Sequence, residues 1–402
     1  MSIESPEARL LKRLGLALHR YGTPVHRVEH AVSEVAAKLG VPAQFLVTPT
    51  SLVASIGEGE NAKMSLVRVD QGEINLAKLA GLHDVVREVF ADRISADEAS
   101  ERIDRIGKEA PLYGSALVVL SFGVVATVVS MFFGGGWREA MVGLGLGTVV
   151  GLLTVLAGRS PRFALVLPAV AGIVCAGGSK AAGVAIGELY PSIPALAGLI
   201  VLLPGLALTI AVSELAHRHI VSGSSRLISA LTTLLQIGFG MALGGVAVSR
   251  FLGDAEPIAP EGFPLVVLAV ALVVNAIALT VLFQARTRDA PILLLAAATA
   301  FLGARFGTEY LGLELGTCVA AWLLGTVATL VSRWRDIPSA TVTLPGLLLL
   351  VPGSLGFRSL SALIAKDVVS GVETGFTMAI IALALVTGLL LANLTLEPRK
   401  LF

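Results

Sequence analysis

From Leu112 onward the chain is filled by apolar runs, each close to the length that a bilayer demands. A hydrocarbon core of about 30 Å requires roughly 20 apolar residues in a helix. Shorter runs or irregular backbone are tolerated at that depth only where neighbouring protein buries them. On that criterion spans are expected near 112–133, 138–157, 162–178, 194–214 and 227–249, then near 264–284, 291–306, 314–332, 340–356 and 374–394. The third and seventh are short enough to be re-entrant instead. The fold class expected is therefore an α-helical polytopic membrane protein with about ten transmembrane helices. Mean hydropathy is +0.83 and 55% of residues are hydrophobic, a composition that soluble chains rarely reach.

Charge divides the chain. Residues 1–111 hold 14 Lys/Arg and 16 Asp/Glu, whereas the other 291 residues carry about one charge per ten. The expected organisation is a soluble α+β domain over 1–111, a first five-helix repeat over 112–250 and a second over 251–402. No cleavable leader is expected, because the first apolar run begins only at Leu112. With a net charge of +1 and no basic tract, nothing points to nucleic acid. Counting Lys and Arg in the loops gives ten on the side of the N-terminal domain and six on the other. That bias predicts that both termini are cytoplasmic. Cys175 and Cys318 sit inside apolar runs, read as small buried hydrophobes, and predict no disulfide.

The halves echo each other. At a constant offset of 148, Pro204-Gly205 meets Pro352-Gly353, Val221-Ser222-Gly223 meets Val369-Ser370-Gly371, and Gly240 meets Gly388. Five spans per unit is an odd number, so the second unit would be inverted. Inverted repeats are a recurring plan of secondary transporters, with substrate held between them.

The Pro-Gly pairs are where chemistry is expected. Proline removes a donor and glycine lowers the cost of leaving helical geometry, and freed backbone groups at mid-membrane can hold a zwitterion. Pro204, Gly205, Ser213, Pro352, Gly353 and Ser354 are accordingly expected at a substrate site. Asn275 and Gln236 join them because a full amide is costly to bury in a span. Glu214, just after the broken fourth span, and Asp367, after the broken ninth, are the expected proton-coupling carboxylates, with a solvated cap near Arg218 as the plainer reading of Glu214. Glycines at four-residue spacing, Gly143, Gly147 and Gly151, predict close helix packing.

In the N-terminal domain, helices are expected near 5–20, 24–39, 75–91 and 95–109, with strands around 43–57 and 62–70. Ser95 with Glu98 predicts a capping box. His26, His30 and Glu34 share one helix face, but without a further ligand they predict a solvated or interdomain surface, not a metal site. No GxSxG, Walker A, GxGxxG or Cys/His pattern occurs, so neither an enzyme nor a cofactor is expected.

The segment Tyr21-Gly22-Thr23-Pro24-Val25-His26-Arg27-Val28-Glu29 resembles the motif that opens the soluble domain of the threonine/serine exporter family. Pro204-Gly205, Glu214, Ser222-Gly223 and Arg226-Leu227 resemble its first-half signature. Val351-Pro352-Gly353-Ser354, Phe357-Arg358-Ser359, Asp367 and Gly371 resemble the second. Thr23-Pro24 departs from the pattern, since the family often has an acidic residue there. The resemblance implies export of L-threonine and L-serine driven by protons, from a bacterial inner membrane. The expected partners are an amino-acid substrate, protons and the lipid bilayer, with homo-oligomerisation left open. A related two-chain form implies dicarboxylate (succinate) export as the alternative, for which Arg358 and Arg226 are the candidate cations. A membrane-anchored enzyme or sensor acting through the N-terminal domain is the rival from another class.

Overall fold

Local sequence signals set most helix boundaries in the N-terminal part. The computed structural model describes residues 5–58, 62–69, 72, 74–253, 255–351, 353–364 and 366–396. Helix α1 (Pro6–Arg20) starts where the Ser5 hydroxyl accepts the Ala8 N–H, with proline at its first position. Helix α2 (Val25–Lys38) follows Pro24. Strands β1 (Ala43–Thr48), β2 (Ser51–Ile56) and β3 (Lys63–Arg68) form an antiparallel sheet in the order β1-β2-β3. The single strand region expected over 43–57 is thus a hairpin, turned at Pro49-Thr50. Helix α3 (Leu76–Phe90) is capped by Asn75 and α4 (Ala96–Lys108) by Ser95, which accepts the Glu98 N–H. The Glu98 carboxylate turns away from the expected box and pairs with Arg102 at 2.7 Å. Leu11, Leu14, Val32, Leu52 and Leu82 form the core of this part.

The remainder is a bundle of long apolar helices: α5 (Ser115–Phe132), α6 (Trp137–Ala157), α7 (Pro161–Ile186), α8 (Ser192–Leu199), α9 (Gly205–Ala216) and α10 (Ile220–Leu252), then α11 (Leu265–Leu282), α12 (Ala290–Leu311), α13 (Leu313–Arg335), α14 (Ala340–Leu350), α15 (Gly353–Ile364) and α16 (Val368–Thr395). Among the described residues, nine helical segments are long and apolar enough to cross a membrane, with α14 and α15 together counted as one. The expectation of ten is corrected at 194–214, where α8 and α9 are two short helices separated at Pro204. The third and seventh runs are full helices of 26 and 22 residues, not re-entrant segments. Polar residues at Gly177-Gly178-Ser179-Lys180 dilute the hydropathy of α7 without ending it, because Gly177 packs against Gly244 of α10. In the ninth run the helix is interrupted between α14 and α15, whereas Pro345 stays inside α14. Pro352 lies outside the described residues.

Packing pairs recur along the chain. Helix α7 lies along α10 and α13 along α16; α6 packs on α8 and α12 on α14; α9 meets α10 and α15 meets α16. Gly223 sits against Leu215 and Gly371 against Leu363, while Gly240 abuts Ala169 of α7 and Gly388 abuts Cys318 of α13. Gly147 and Gly151 bring α6 close to Phe122 of α5 in the same way. The two helix breaks meet. A methyl added at Gly205 would lie 2.7 Å from Val351 Cγ2 and 2.9 Å from the Gly353 nitrogen.

Gly205→Val should therefore overpack this crossing and lower stability by about 1–3 kcal/mol. Thermal unfolding in detergent would measure it. Gly145→Ala, which points into open space, should be neutral or slightly stabilising by comparison.

Candidate functional site

Helix α9 places Glu214 in its last turn, and the side chain has no exposure at all. Burying a carboxylate in this way is costly unless its oxygens are satisfied. Here they accept four donors. Arg226 of α10 donates from Nε at 3.2 Å and from Nη2 at 3.1 Å, the Ser222 hydroxyl at 2.8 Å and the Val25 backbone N–H at 3.3 Å. The Arg226 contact is two-pronged, the geometry that a planar guanidinium offers a carboxylate. The Val25 N–H belongs to the first turn of α2, where amide donors lack intrahelical partners. One side chain thus ties the broken α9 to α10 and to the N-terminal segment.

Other contacts hold the N-terminal segment against the second half of the bundle. The Leu76 and Ala77 N–H groups of α3 donate to the Phe283 and Gln284 carbonyls beyond α11, at 2.9 and 3.1 Å. Arg87 pairs with Asp336 at 2.7 Å and Arg286 with Asp84 at 3.4 Å. Gln284 and Asp336 both hold left-handed backbone, with φ of 49° and 54°, a conformation that L residues adopt at some cost. Arg27 donates to the Ser339 hydroxyl at 2.9 Å, just before α14.

Between these attachments lies a cavity of about 380 Å³. Its walls are α2, α9, α14 and α16, and its polar lining includes His26, Arg27, Thr209, Ser213, Thr343 and Asn393. His26 stacks on His217 with ring centroids 4.2 Å apart and planes 7° from parallel, and His219 lies 6.2 Å away. Burial, with the nearby Arg27 and His217, His219 and His30 adding to it, pushes His26 down to about 3. His26 is therefore neutral at physiological pH.

The structure brings some of the expected residues together and disperses others. Gly205 and Gly353 touch, so the break itself has no space between its glycines, and the cavity opens about a turn further along α9, at Thr209 and Ser213. Ser354 and Gln236 are half-buried and do not line the cavity. Asn275 is buried on α11 with its Oδ1 unpartnered among the described residues. Asp367 is exposed and caps α16, and its hydrogen bonds with Ser370 hold it below the usual carboxylate range. Arg358 is exposed, 5.8 Å from the Phe133 ring. His30 is exposed at the edge of the cavity that His26 also lines, and lies 4.0 Å from the half-buried Glu34. Sequence reasoning does not single out Arg27 or Asn393. The only signal for Arg27 is its place in the motif around Gly22, and Asn393 gives none.

These features define a multi-pass α-helical membrane protein whose broken helices and cavity lie beneath a docked N-terminal segment. The sequence profile described as "Putative threonine/serine exporter" matches residues 9–247, and that described as "Threonine/Serine exporter, ThrE" matches residues 268–395. The chain belongs to the threonine/serine exporter family, a family of membrane exporters and not of enzymes. It is similar to pheromone-regulated membrane protein 10 of Eremothecium gossypii, 28% identical over 97% of this chain and 56% of that one. The proteins of that name in Debaryomyces hansenii and Kluyveromyces lactis are 28% and 27% identical, over 87% and 97% of this chain and 36% and 44% of theirs. The chain thus spans about a third to just over half the length of these relatives. No solved structure matches it. The bacterial inner membrane expected from sequence is corrected by these yeast relatives, which point to a eukaryotic membrane. The multi-pass membrane location stands.

Two outcomes are expected. Glu214→Gln leaves Arg226 without its counter-charge and should cost about 3–5 kcal/mol, read as a lower melting temperature, whereas Glu214→Gln with Arg226→Met should recover much of it. His26, neutral in the folded state and ordinary near 6.5 when unfolded, gives a stability that is full above about 6.5 and declines as pH falls towards 3. His26→Phe, which keeps the stack, should flatten that decline in a melting series against pH.

Proposed function

We propose that this protein is a secondary transporter that exports L-threonine and L-serine by alternating access between two inverted halves. The meeting of Gly205 and Gly353 at the crossing of the two helix breaks carries this reading. It is supported by the repeated packing of α7 with α10 and α13 with α16, and by glycine contacts that recur at the same 148-residue offset. A protein built from two such units can expose one cavity to either side by rocking one unit against the other. Family membership supports the substrate class.

The cavity suits the first stage of such a cycle. Hydroxyl and amide groups on α9, α14 and α16 line it, and the N-terminal segment covers it. Alternating access then requires the attachments at Glu214, Asp336 and Ser339 to loosen as the halves move. Glu214 is the proposed coupling carboxylate. A proton on it would weaken the two-pronged contact with Arg226 and release the Val25 amide together, linking protonation to undocking. Asp367, which its hydrogen bonds keep ionised, is the weaker candidate. Of the candidate cations for the dicarboxylate alternative, Arg226 pairs with Glu214 and Arg358 is exposed, and neither lines the cavity.

The deciding experiment is efflux of preloaded radiolabelled L-threonine, L-serine and succinate from proteoliposomes, with and without a proton gradient. Threonine and serine flux that competes mutually and collapses with a protonophore is expected. Flux of succinate alone would overturn the substrate, and an unchanged pH profile in Glu214→Gln would remove Glu214 as the carrier.

A further inference from the structure

Several arginines at the junction are neutralised. Arg87, Arg226 and Arg286 each face a carboxylate, from Asp336, Glu214 and Asp84 respectively. Arg27 faces none among the described residues. Its one hydrogen bond there goes to the neutral hydroxyl of Ser339. Burial also pushes its guanidinium below the usual arginine value, with no opposing charge beside it among the described residues. Arg27 is half-buried in the cavity wall, and a cation partly withdrawn from water with no carboxylate beside it among the described residues is costly. It becomes favourable when the missing negative charge arrives as a ligand.

The surroundings of Arg27 make the same demand. His26 Nδ1 is buried and has no hydrogen-bond partner among the described residues, in the wall of the same cavity. Asn393 and the Ser213 hydroxyl line it too, and neither has a side-chain partner among the described residues. The Thr209 and Thr343 hydroxyls donate to the Gly205 and Ser339 carbonyls of their own helices, which leaves their oxygens free to accept. The cavity therefore offers one cation and several neutral polar groups, and no carboxylate among its described lining. That chemistry fits a small solute with one carboxylate and further polar groups, and it repels a cation.

We propose that this cavity binds the carboxylate of a small polar solute through Arg27, so that the N-terminal segment supplies part of the binding site and is not merely its cover. The solute class comes from the exporter reading; the site comes from Arg27 and its missing counter-ion. Amine and hydroxyl groups of an amino acid would face Asn393, Ser213 and Thr209, on helices of both halves. Binding would then join the N-terminal segment to both halves through one small molecule.

The test uses the purified full-length protein in nanodiscs of neutral lipid, with equilibrium binding of radiolabelled L-threonine and competition by L-serine, succinate and L-threoninol, which lacks the carboxylate. Saturable binding is expected, displaced by L-serine and not by threoninol. Arg27→Gln should weaken it about tenfold or more, as loss of a charge-assisted contact does, and Arg27→Lys should restore part of it. Asn393→Ala, on α16 and remote from the docking contacts, should weaken it as well, and covers the case in which Arg27→Gln fails to fold. Wild-type affinity in folded Arg27→Gln, alongside normal threonine efflux, would overturn the site and leave the exporter reading intact. Arg27-dependent binding of succinate but not threonine would uphold the site and overturn the substrate. An anionic phospholipid retained on wild-type protein but not on Arg27→Gln, with no solute competition, would show that Arg27 serves the membrane, and would overturn the proposal.

Discussion

A carboxylate with no access to water governs how this molecule is joined together. Glu214 is tolerable where it sits only because Arg226, Ser222 and the first amide of α2 are all aimed at it. Each of those donors belongs to a different piece of structure: the body of α10, its first turn, and the N-terminal segment. The energetic need of one side chain therefore fixes the position of three elements. At the 148-residue offset the position of Glu214 is occupied by Ala362 and that of Arg226 by Thr374. The second half carries no such pair, and its junction with the N-terminal segment is made by Asp336, Ser339 and the carbonyls after α11 instead. Electrostatics thus separates two halves that backbone packing makes alike.

The bundle tolerates interrupted helices because each interruption is covered by the other. Around Gly205 the absence of a side chain lets the start of α9 approach the start of α15. Gly205 and Gly353 are both buried at the crossing, and burial is the condition for irregular chain at membrane depth. Such a crossing is held by contacts between small surfaces and not by a continuous helix.

Much of this is legible in the residues, for identifiable reasons. Helix caps at Ser95 and the periodicity of α1 to α4 are local signals, and they place those elements within a residue or two. Span positions follow from apolar length alone. The break in the 194–214 run is legible at Pro204-Gly205, but hydropathy averages across it, so the run reads as one interrupted span where the structure has two short helices, α8 and α9. The hairpin at Pro49-Thr50 is hidden by apolar residues on both sides of it. The site is harder. Glu214 stands out as a charge near an apolar segment, but its partner Arg226 lies twelve residues on and Val25 lies 189 residues back, and only the fold brings them together. Arg27 is ordinary in sequence, one arginine in a soluble helix. Its significance is the lack of a carboxylate beside it among the described residues, which no linear pattern encodes.

The join between α4 and α5 is short: six residues separate Lys108 from Ser115. Fully extended, they reach about 20 Å. An N-terminal segment released from the bundle would thus stay tethered over the mouth it had covered. Its return is an intramolecular event, set by the leash and indifferent to how much protein the membrane contains. Redocking would then be fast, and the lifetime of the open mouth would depend on what occupies it and not on a search for the cover.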